Sequence, residues 1–263
     1  MHPDTPGLPS RAAAGPGARV GLARFRRARR QVGLSRPGLV LFALALCGLA
    51  PILPAVASAQ EIPPGFFTAI ARDDDADVQV YLLRGVPIAA RDRDGTPALV
   101  RAAAERAFKV VRTFLAIPGT DVEVTNRANE TALMYAALHG SIDTAVLLIE
   151  KGAQVNRPGW APLHYAATGG SERMVDLLLD RHAYIDAESP NRSTPLMLAV
   201  RQKHEPLARQ LVAAGADPAV RNDAGLSAAD YAARNENAAL AEWLRARGRE
   251  YDARYRPAGT VRK

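Results

Sequence analysis

A short motif returns at a nearly constant interval along most of this chain, and this regularity limits the possible folds more than any other feature. Thr131-Ala-Leu-Met, Ala161-Pro-Leu-His, Thr194-Pro-Leu-Met and Ser227-Ala-Ala-Asp each open a short apolar helix pattern. The leucine-type position of successive units falls at Phe66, Leu99, Leu133, Leu163, Leu196 and Ala229, with spacings of 33, 34, 30, 33 and 33 residues. A period in this range is typical of a solenoid, in which each unit contacts only its neighbours.

Each unit contains two helix patterns. Small pairs such as Ala136-Ala137 recur in the first helix, where they allow close packing on the adjacent units. Apolar pairs four residues apart, such as Met174-Val175 and Leu178-Leu179, recur in the second helix and place one apolar stripe on its inner face. A single unit cannot bury that stripe alone. The sequence therefore predicts a row of helix pairs with one continuous core.

The T-P-L-H-x-A-A core, seen in Ala161-Pro-Leu-His-Tyr-Ala-Ala, resembles the ankyrin repeat over about residues 64–250. This resemblance implies an all-α solenoid of about six helix-turn-helix units, including terminal caps. The expected units are 64–96, 97–130, 131–160, 161–193, 194–226 and 227–250. Residues 251–263 are predicted to form a flexible tail because they contain Pro257 and Gly259 and few apolar residues.

One connection departs from this pattern. The segment 156–160 is three residues shorter than its counterparts in the other units, so we expect a stubby projecting turn and a notch beside Trp160. The histidine of the motif is kept only as His164. We therefore expect stability to depend more on packing than on a hydrogen-bond network between turns.

The formal charge of +7 is confined to the first 59 residues, which hold eight arginines and one aspartate. The remainder carries 26 basic and 26 acidic residues and is neutral overall. A basic surface for nucleic acid is therefore not expected on the repeats.

The leader has the three zones of a secretory signal peptide. An arginine-rich segment is followed by an apolar run, and Ala57-Ser58-Ala59 precedes Gln60. We predict a signal peptide over residues 1–59 with cleavage between Ala59 and Gln60. A twin-arginine signal at Arg29-Arg30, a membrane anchor over 38–59 and a lipoprotein anchor at Cys47 remain open alternatives. Each of them places the repeats outside the cytoplasm.

No residue pattern predicts catalysis or a bound metal or cofactor. The four histidines after the leader occupy four different repeat positions and show no metal-ligand spacing. Ser227 lacks the second glycine of a nucleophile elbow and is interpreted as a helix N-cap. The acidic run at 73–77 lacks calcium-loop spacing and is interpreted as a solvated turn. We therefore expect a protein that is not an enzyme and that has no cofactor.

The expected functional feature is a binding surface. In the ankyrin family, partners usually dock on the first helices and on the projecting turns. At the fifth position of the units, Arg101, Tyr135, Tyr165 and Tyr231 face that surface, and the alternative is that the rings only fill the seam between helices. The predicted protein-binding residues are Arg101, Tyr135, Trp160, Tyr165, Tyr231, Arg93, Arg127 and Arg192.

The sequence thus predicts a monomeric, exported, periplasmic or secreted interaction module with a protein partner and no nucleic-acid or membrane contact after cleavage. A retained anchor would give a membrane-attached protein with a periplasmic domain. Two alternative functions remain: an accessory or protective factor for a periplasmic enzyme in oxidant defence, and a secreted effector that binds a host protein.

Overall fold

The computed structural model describes residues 62–255, which form six helix pairs and no strand apart from an isolated β-bridge between Arg91 and Pro97. The predicted signal peptide and its cleavage site, Ala59 and Gln60, lie outside the described residues, as do residues 256–263. The helices are α1 (Pro64–Ala71), α2 (Asp75–Leu83), α3 (Ala98–Ala104), α4 (Phe108–Ala116), α5 (Ala132–Leu138), α6 (Ile142–Glu150), α7 (Pro162–Gly169), α8 (Glu172–Asp180), α9 (Pro195–Arg201), α10 (Glu205–Ala213), α11 (Ala228–Arg234) and α12 (Ala238–Tyr255). The predicted all-α repeat architecture is confirmed.

The motif residues start the first helix of each unit. Thr131, Thr194 and Ser227 are N-caps whose side-chain oxygens accept hydrogen bonds from the backbone N–H three residues later. Ser227 also forms a reciprocal capping box with Asp230, which confirms its structural interpretation. The residue at the threonine position of the motif therefore stabilises the start of the first helix as its N-cap.

Every unit has at least one residue in the left-handed conformation, either between its two helices or after the second helix. Glycine occupies only some of these positions. His182 stands where other units have glycine and adopts a φ of 64°. Its carbonyl accepts a 2.8 Å hydrogen bond from the Asn156 side chain, and Asn156 also accepts one from the Tyr184 backbone. These contacts from the preceding unit support the unfavourable backbone conformation.

The core is continuous from the first unit to the last, as the apolar periodicity predicts. First helices pack side by side, and second helices pack behind them. The approach of α7 to α5 is closest at Gly169, where a β-carbon would lie 2.0 Å from the Leu138 carbonyl oxygen. A larger residue at this position would therefore force the two helices apart.

The last helix is longer than expected. α12 has 18 residues and continues to Tyr255, so the predicted flexible tail cannot begin at Tyr251. Gly248 is buried and packs against Ala219, and Trp243 lies beneath the Arg209 guanidinium at 4.5 Å. These contacts continue the helix beyond the repeat consensus and cover the end of the stack with charged side chains.

Within residues 62–255, no helix has the length and apolar character needed to cross a membrane.

Candidate functional site

The first helices and the turns that precede them share one face of the repeat stack. We call these turns the fingers and the surface that they border with α3, α5, α7, α9 and α11 the groove. The short fourth finger opens a cavity of about 350 Å³ on the groove, as the missing residues predict. We call this cavity the notch; it is lined by Ala128, Glu130, Leu138, Trp160, His164, Tyr165, Thr168 and Arg201.

Aromatic rings form one wall of the notch. The Trp160 ring lies edge-on to Tyr165, with a centroid separation of 6.3 Å, and Tyr165 is also 6.3 Å from Tyr135. All three side chains are half-buried and pack against the core. The three rings therefore fill the seam between helices, and those of Trp160 and Tyr165 also line the notch, so the two interpretations of Tyr165 are compatible.

A carboxylate joins two units beneath these rings. The Tyr165 hydroxyl donates a 2.6 Å hydrogen bond to Glu130 Oε1, and the Tyr135 hydroxyl donates a 2.5 Å bond to Oε2. Asn126 Nδ2 also donates to Oε2, at 2.7 Å. Glu130 thus ties the third finger to α5, the helix that follows it, and to α7, the next of the first helices.

The same contacts set the charge states in the notch. Burial raises the pKa of Glu130, but the hydrogen bonds from Tyr135, Tyr165 and Asn126 outweigh burial and hold that pKa below its usual value. Burial and the neighbouring carboxylate raise the pKa of Tyr135 to about 12 and raise the pKa of Tyr165 further. At neutral pH the cluster therefore consists of one carboxylate and two neutral phenols.

A second recurring contact explains why polar tips occupy the fifth position. Residues nine apart meet in three units: Asp92 with Arg101 at 3.4 Å, Asn126 with Tyr135 at 3.5 Å, and Asn222 with Tyr231 at 3.0 Å. The finger residue of each pair also accepts backbone N–H groups of its own turn, as Asn222 does from Ala224 and Leu226. These pairs fix the fingers to the first helices.

The structure distributes the other predicted site residues along the groove. Tyr231 lies on α11, apart from the aromatic cluster. The helix between them, α9, has the buried and non-aromatic Leu198 at the fifth position. Arg101 is ion-paired to Asp92 in the turn before α3 and to Glu105 at the end of α3, so its charge is compensated within the protein. Arg192 is paired to Glu188 at 3.2 Å.

Arg93 and Arg127 are exposed at finger tips, and Arg127 lies against Gly95 of the preceding finger. Sequence reasoning did not include Glu130 or Arg201 among the predicted binding residues. The contacts between fingers and first helices could have been predicted from the recurring nine-residue spacing between their polar partners.

His164 is fully buried at the base of the notch. Its Nδ1 accepts a hydrogen bond from the Ala161 N–H at 3.1 Å, and Nε2 faces the carbonyl oxygens of Ala187 at 2.9 Å and Ser193 at 3.2 Å. Burial lowers the pKa of His164, against the opposing effect of these hydrogen bonds. The neutral imidazole with its proton on Nε2 satisfies all three contacts, so His164 links consecutive fingers.

The remaining polar clusters also have structural partners. His139 and His204 each contact a carbonyl at the end of the preceding first helix, at 3.1 Å from Nε2. In the acidic turn, Asp74 caps α2 and Asp73 accepts the N–H groups of Lys109 and Val110. Across residues 62–255, no group of three or more His, Cys, Asp or Glu is arranged to hold a metal ion.

A larger cleft, of about 730 Å³, lies between the second helices α2 and α4 and is lined by none of the predicted site residues. Leu83 borders it with 88% of its surface exposed, and Lys109 and Arg112 lie on its rim. This cleft is the alternative surface against which the notch has to be tested.

Comparison with known proteins identifies the repeats. The family model for ankyrin repeats in three copies matches residues 99–189 and 182–255. Neurogenic locus notch homolog protein 1 of zebrafish, Danio rerio, is 34% identical over 132 residues, which are 49% of this chain and 5% of that protein. The B-cell lymphoma 3 protein homolog of mouse, Mus musculus, is 33% identical over 152 residues, which are 55% of this chain and 34% of that protein. The chain therefore spans only a minor part of these relatives.

Two solved structures share the fold. The ankyrin repeat domain of Bcl-3, described as a member of the IkappaB family, superposes with a TM-score of 0.55 at 30% identity, covering 68% of this chain and 81% of that domain. An ankyrin repeat domain from Acinetobacter baumannii gives a TM-score of 0.58 at 22% identity, covering 70% and 97%. Both are repeat stacks.

Proposed function

This chain belongs to the ankyrin repeat family, and because ankyrin repeats are generally protein–protein interaction modules, we propose that it binds a protein partner through the groove and the finger tips. The main contact of the partner is with the notch. The observation that carries this proposal is the cluster of Tyr135, Trp160 and Tyr165, three adjoining aromatic side chains that stay partly exposed on the groove.

Rings in this position suit an interface. Tyr and Trp bury a large area with few rotatable bonds, and they dominate the binding energy of many protein interfaces. The Glu130 hydrogen bonds hold Tyr135 and Tyr165 in one orientation before a partner arrives. Less side-chain entropy is then lost on binding.

Affinity capture with the chain from Gln60 onward, followed by measurement with the purified partner, tests this proposal. We expect Trp160→Ala and Tyr165→Ala each to weaken binding by about 1–2 kcal/mol, which is about 5- to 30-fold. Tyr184→Ala is the matched control, because Tyr184 is 69% exposed and lies outside the notch. Its affinity should not change.

Unfolding midpoints have to be measured for the same variants, since Trp160 and Tyr165 also contact the core. If both alanine variants keep full affinity and only lose stability, the rings are packing residues and the groove proposal fails. A loss of affinity in Leu83→Ala instead would assign the interface to the cleft between α2 and α4.

We also propose that the chain is exported and acts in the periplasm or outside the cell. The support is the order of basic segment, apolar run and small-residue cleavage site in residues 1–59, together with the confinement of the net positive charge to that leader.

A further inference from the structure

The charges that remain unpaired at the notch indicate the chemistry of its occupant. Of the residues that line it, only Glu130 and Arg201 are charged at neutral pH, because burial lowers the pKa of His164 and keeps its imidazole neutral. Glu130 already accepts three hydrogen bonds from side chains, one on Oε1 and two on Oε2. Its charge is therefore largely compensated inside the protein.

Arg201 is in the opposite situation. It is exposed at the end of α9, and it forms no ion pair with any residue of the described range. Arg127, next to the notch residue Ala128, is likewise exposed and unpaired there. By contrast, Glu105 at the end of α3, Glu188 in the turn before α9 and Asp230 on α11 are each paired with an arginine. Arg201 is therefore the charged residue of the notch lining whose charge has no partner within the described residues.

The remainder of the notch is apolar. Its wall is formed by the rings of Trp160 and Tyr165 and by Leu138, and its volume of about 350 Å³ suits one or two large side chains. A ligand that matches both properties carries an apolar side chain and a negative charge a short distance away.

Resting on the proposed function, we propose that the notch binds an acidic segment of the partner protein. One aromatic or large aliphatic side chain of that segment enters the notch and packs on Trp160, Tyr165 and Leu138. A neighbouring Asp or Glu of the same segment pairs with Arg201, and further acidic residues face Arg127. A basic segment is disfavoured, because it would meet Arg201 and would have to compete with the phenol donors for Glu130.

Selection from a phage-displayed library of random dodecapeptides on the full chain tests this assignment without knowledge of the natural partner. We expect enriched peptides to combine an aromatic or leucine-type residue with Asp or Glu. A synthetic peptide of the enriched sequence should bind at least 10-fold more weakly to Arg201→Glu and to Trp160→Ala. Its affinity should fall as salt rises, since exposed ion pairs are screened.

Lys203→Glu is the matched control, because it makes the same charge change at an exposed residue two positions from Arg201 and outside the notch. It should leave peptide affinity within about 2-fold. The unfolding midpoints of Arg201→Glu and Lys203→Glu should be similar, since each variant places a negative charge at the C-terminal end of α9. The library selected on Arg201→Glu should shift from acidic to basic peptides.

The outcomes separate this inference from the proposed function. Enrichment of basic or uncharged peptides that still depend on Trp160, or indifference to Arg201→Glu, overturns the acidic assignment and leaves the notch as a binding site. Peptides that bind independently of both Trp160 and Arg201 contradict the notch itself. A library with no enriched sequence also counts against the acidic segment, since the notch would then lack affinity for the chemistry assigned to it.

Discussion

The hydrogen bond between Tyr165 and Glu130 gives a quantitative prediction about stability. Tyr165→Phe removes one hydroxyl, leaves the ring in the notch wall and breaks a 2.6 Å bond that joins α7 to the third finger. Hydrogen bonds to charged groups contribute about 1.5–3 kcal/mol when buried, and the partial exposure of this pair reduces our expectation to about 1 kcal/mol. For a urea slope of about 2.5 kcal/mol/M, the midpoint should fall by about 0.4 M at pH 7.

The loss should depend on pH in a defined direction. The Glu130 pKa is lowered in the folded protein, so this contribution is complete above the ordinary glutamate pKa of 4.5 and disappears as pH falls through the lower folded value. The difference between wild type and Tyr165→Phe should therefore shrink in strongly acidic solution. In Tyr165→Phe the pKa of Glu130 should rise.

A double-mutant cycle with Glu130→Gln completes this test. Because both residues act through one bond, the cycle should give a coupling energy of about 1 kcal/mol at pH 7, well above the additivity error. Additive losses, or a loss for Tyr165→Phe that is the same at acidic and neutral pH, would refute the charged bond as the source of the stabilisation.

Three further results are expected. Leu178→Ala in the middle of the stack should cost about 2–5 kcal/mol of unfolding free energy in urea, whereas Leu244→Ala should cost less because the last unit can unfold alone; equal losses in one transition would contradict a nearest-neighbour array. Burial lowers the pKa of His164 from 6.5, so the stabilisation that depends on its neutral form should be complete above pH 6.5 and decrease as pH falls below that value. His164→Gln should reduce this dependence of the unfolding free energy on pH, as measured by urea unfolding at several pH values. An unchanged pH dependence would count against a neutral, buried imidazole. N-terminal sequencing of exported material should begin at Gln60, and a start at Cys47 or an uncut leader would reject the cleavage prediction.

Local signals in the sequence were sufficient for the fold. The apolar periodicity of the second helices and the capping residues at the start of the first helices specify the six helix pairs, and both depend on residues close together in the chain. The short fourth connection likewise predicted the notch beside Trp160. His182 shows that the backbone turn is set by position in the repeat, since it keeps the left-handed conformation without glycine.

The contacts that determine the chemistry of the notch could not be predicted from local sequence patterns. Glu130 meets Tyr165 across 35 residues and across a unit boundary, so no local pattern marks it. Arg201 becomes notable only because the fold places it in the lining of the notch without an ion pair. The end of α12 was also placed too early, since the packing of Gly248 on Ala219 depends on the preceding unit.

Photo-crosslinking from inside the notch tests the central claim, that a protein partner contacts the groove at this point. A benzoylphenylalanine in place of Leu138, which lines the notch, is compared with one in place of Asp180, which is exposed on the second helix α8. We expect the Leu138 position to give a discrete crosslinked protein in the source cells, and Trp160→Ala in the same chain to abolish it. Crosslinks from Asp180 alone, or equal crosslinks from both positions that persist in Trp160→Ala, would contradict the account.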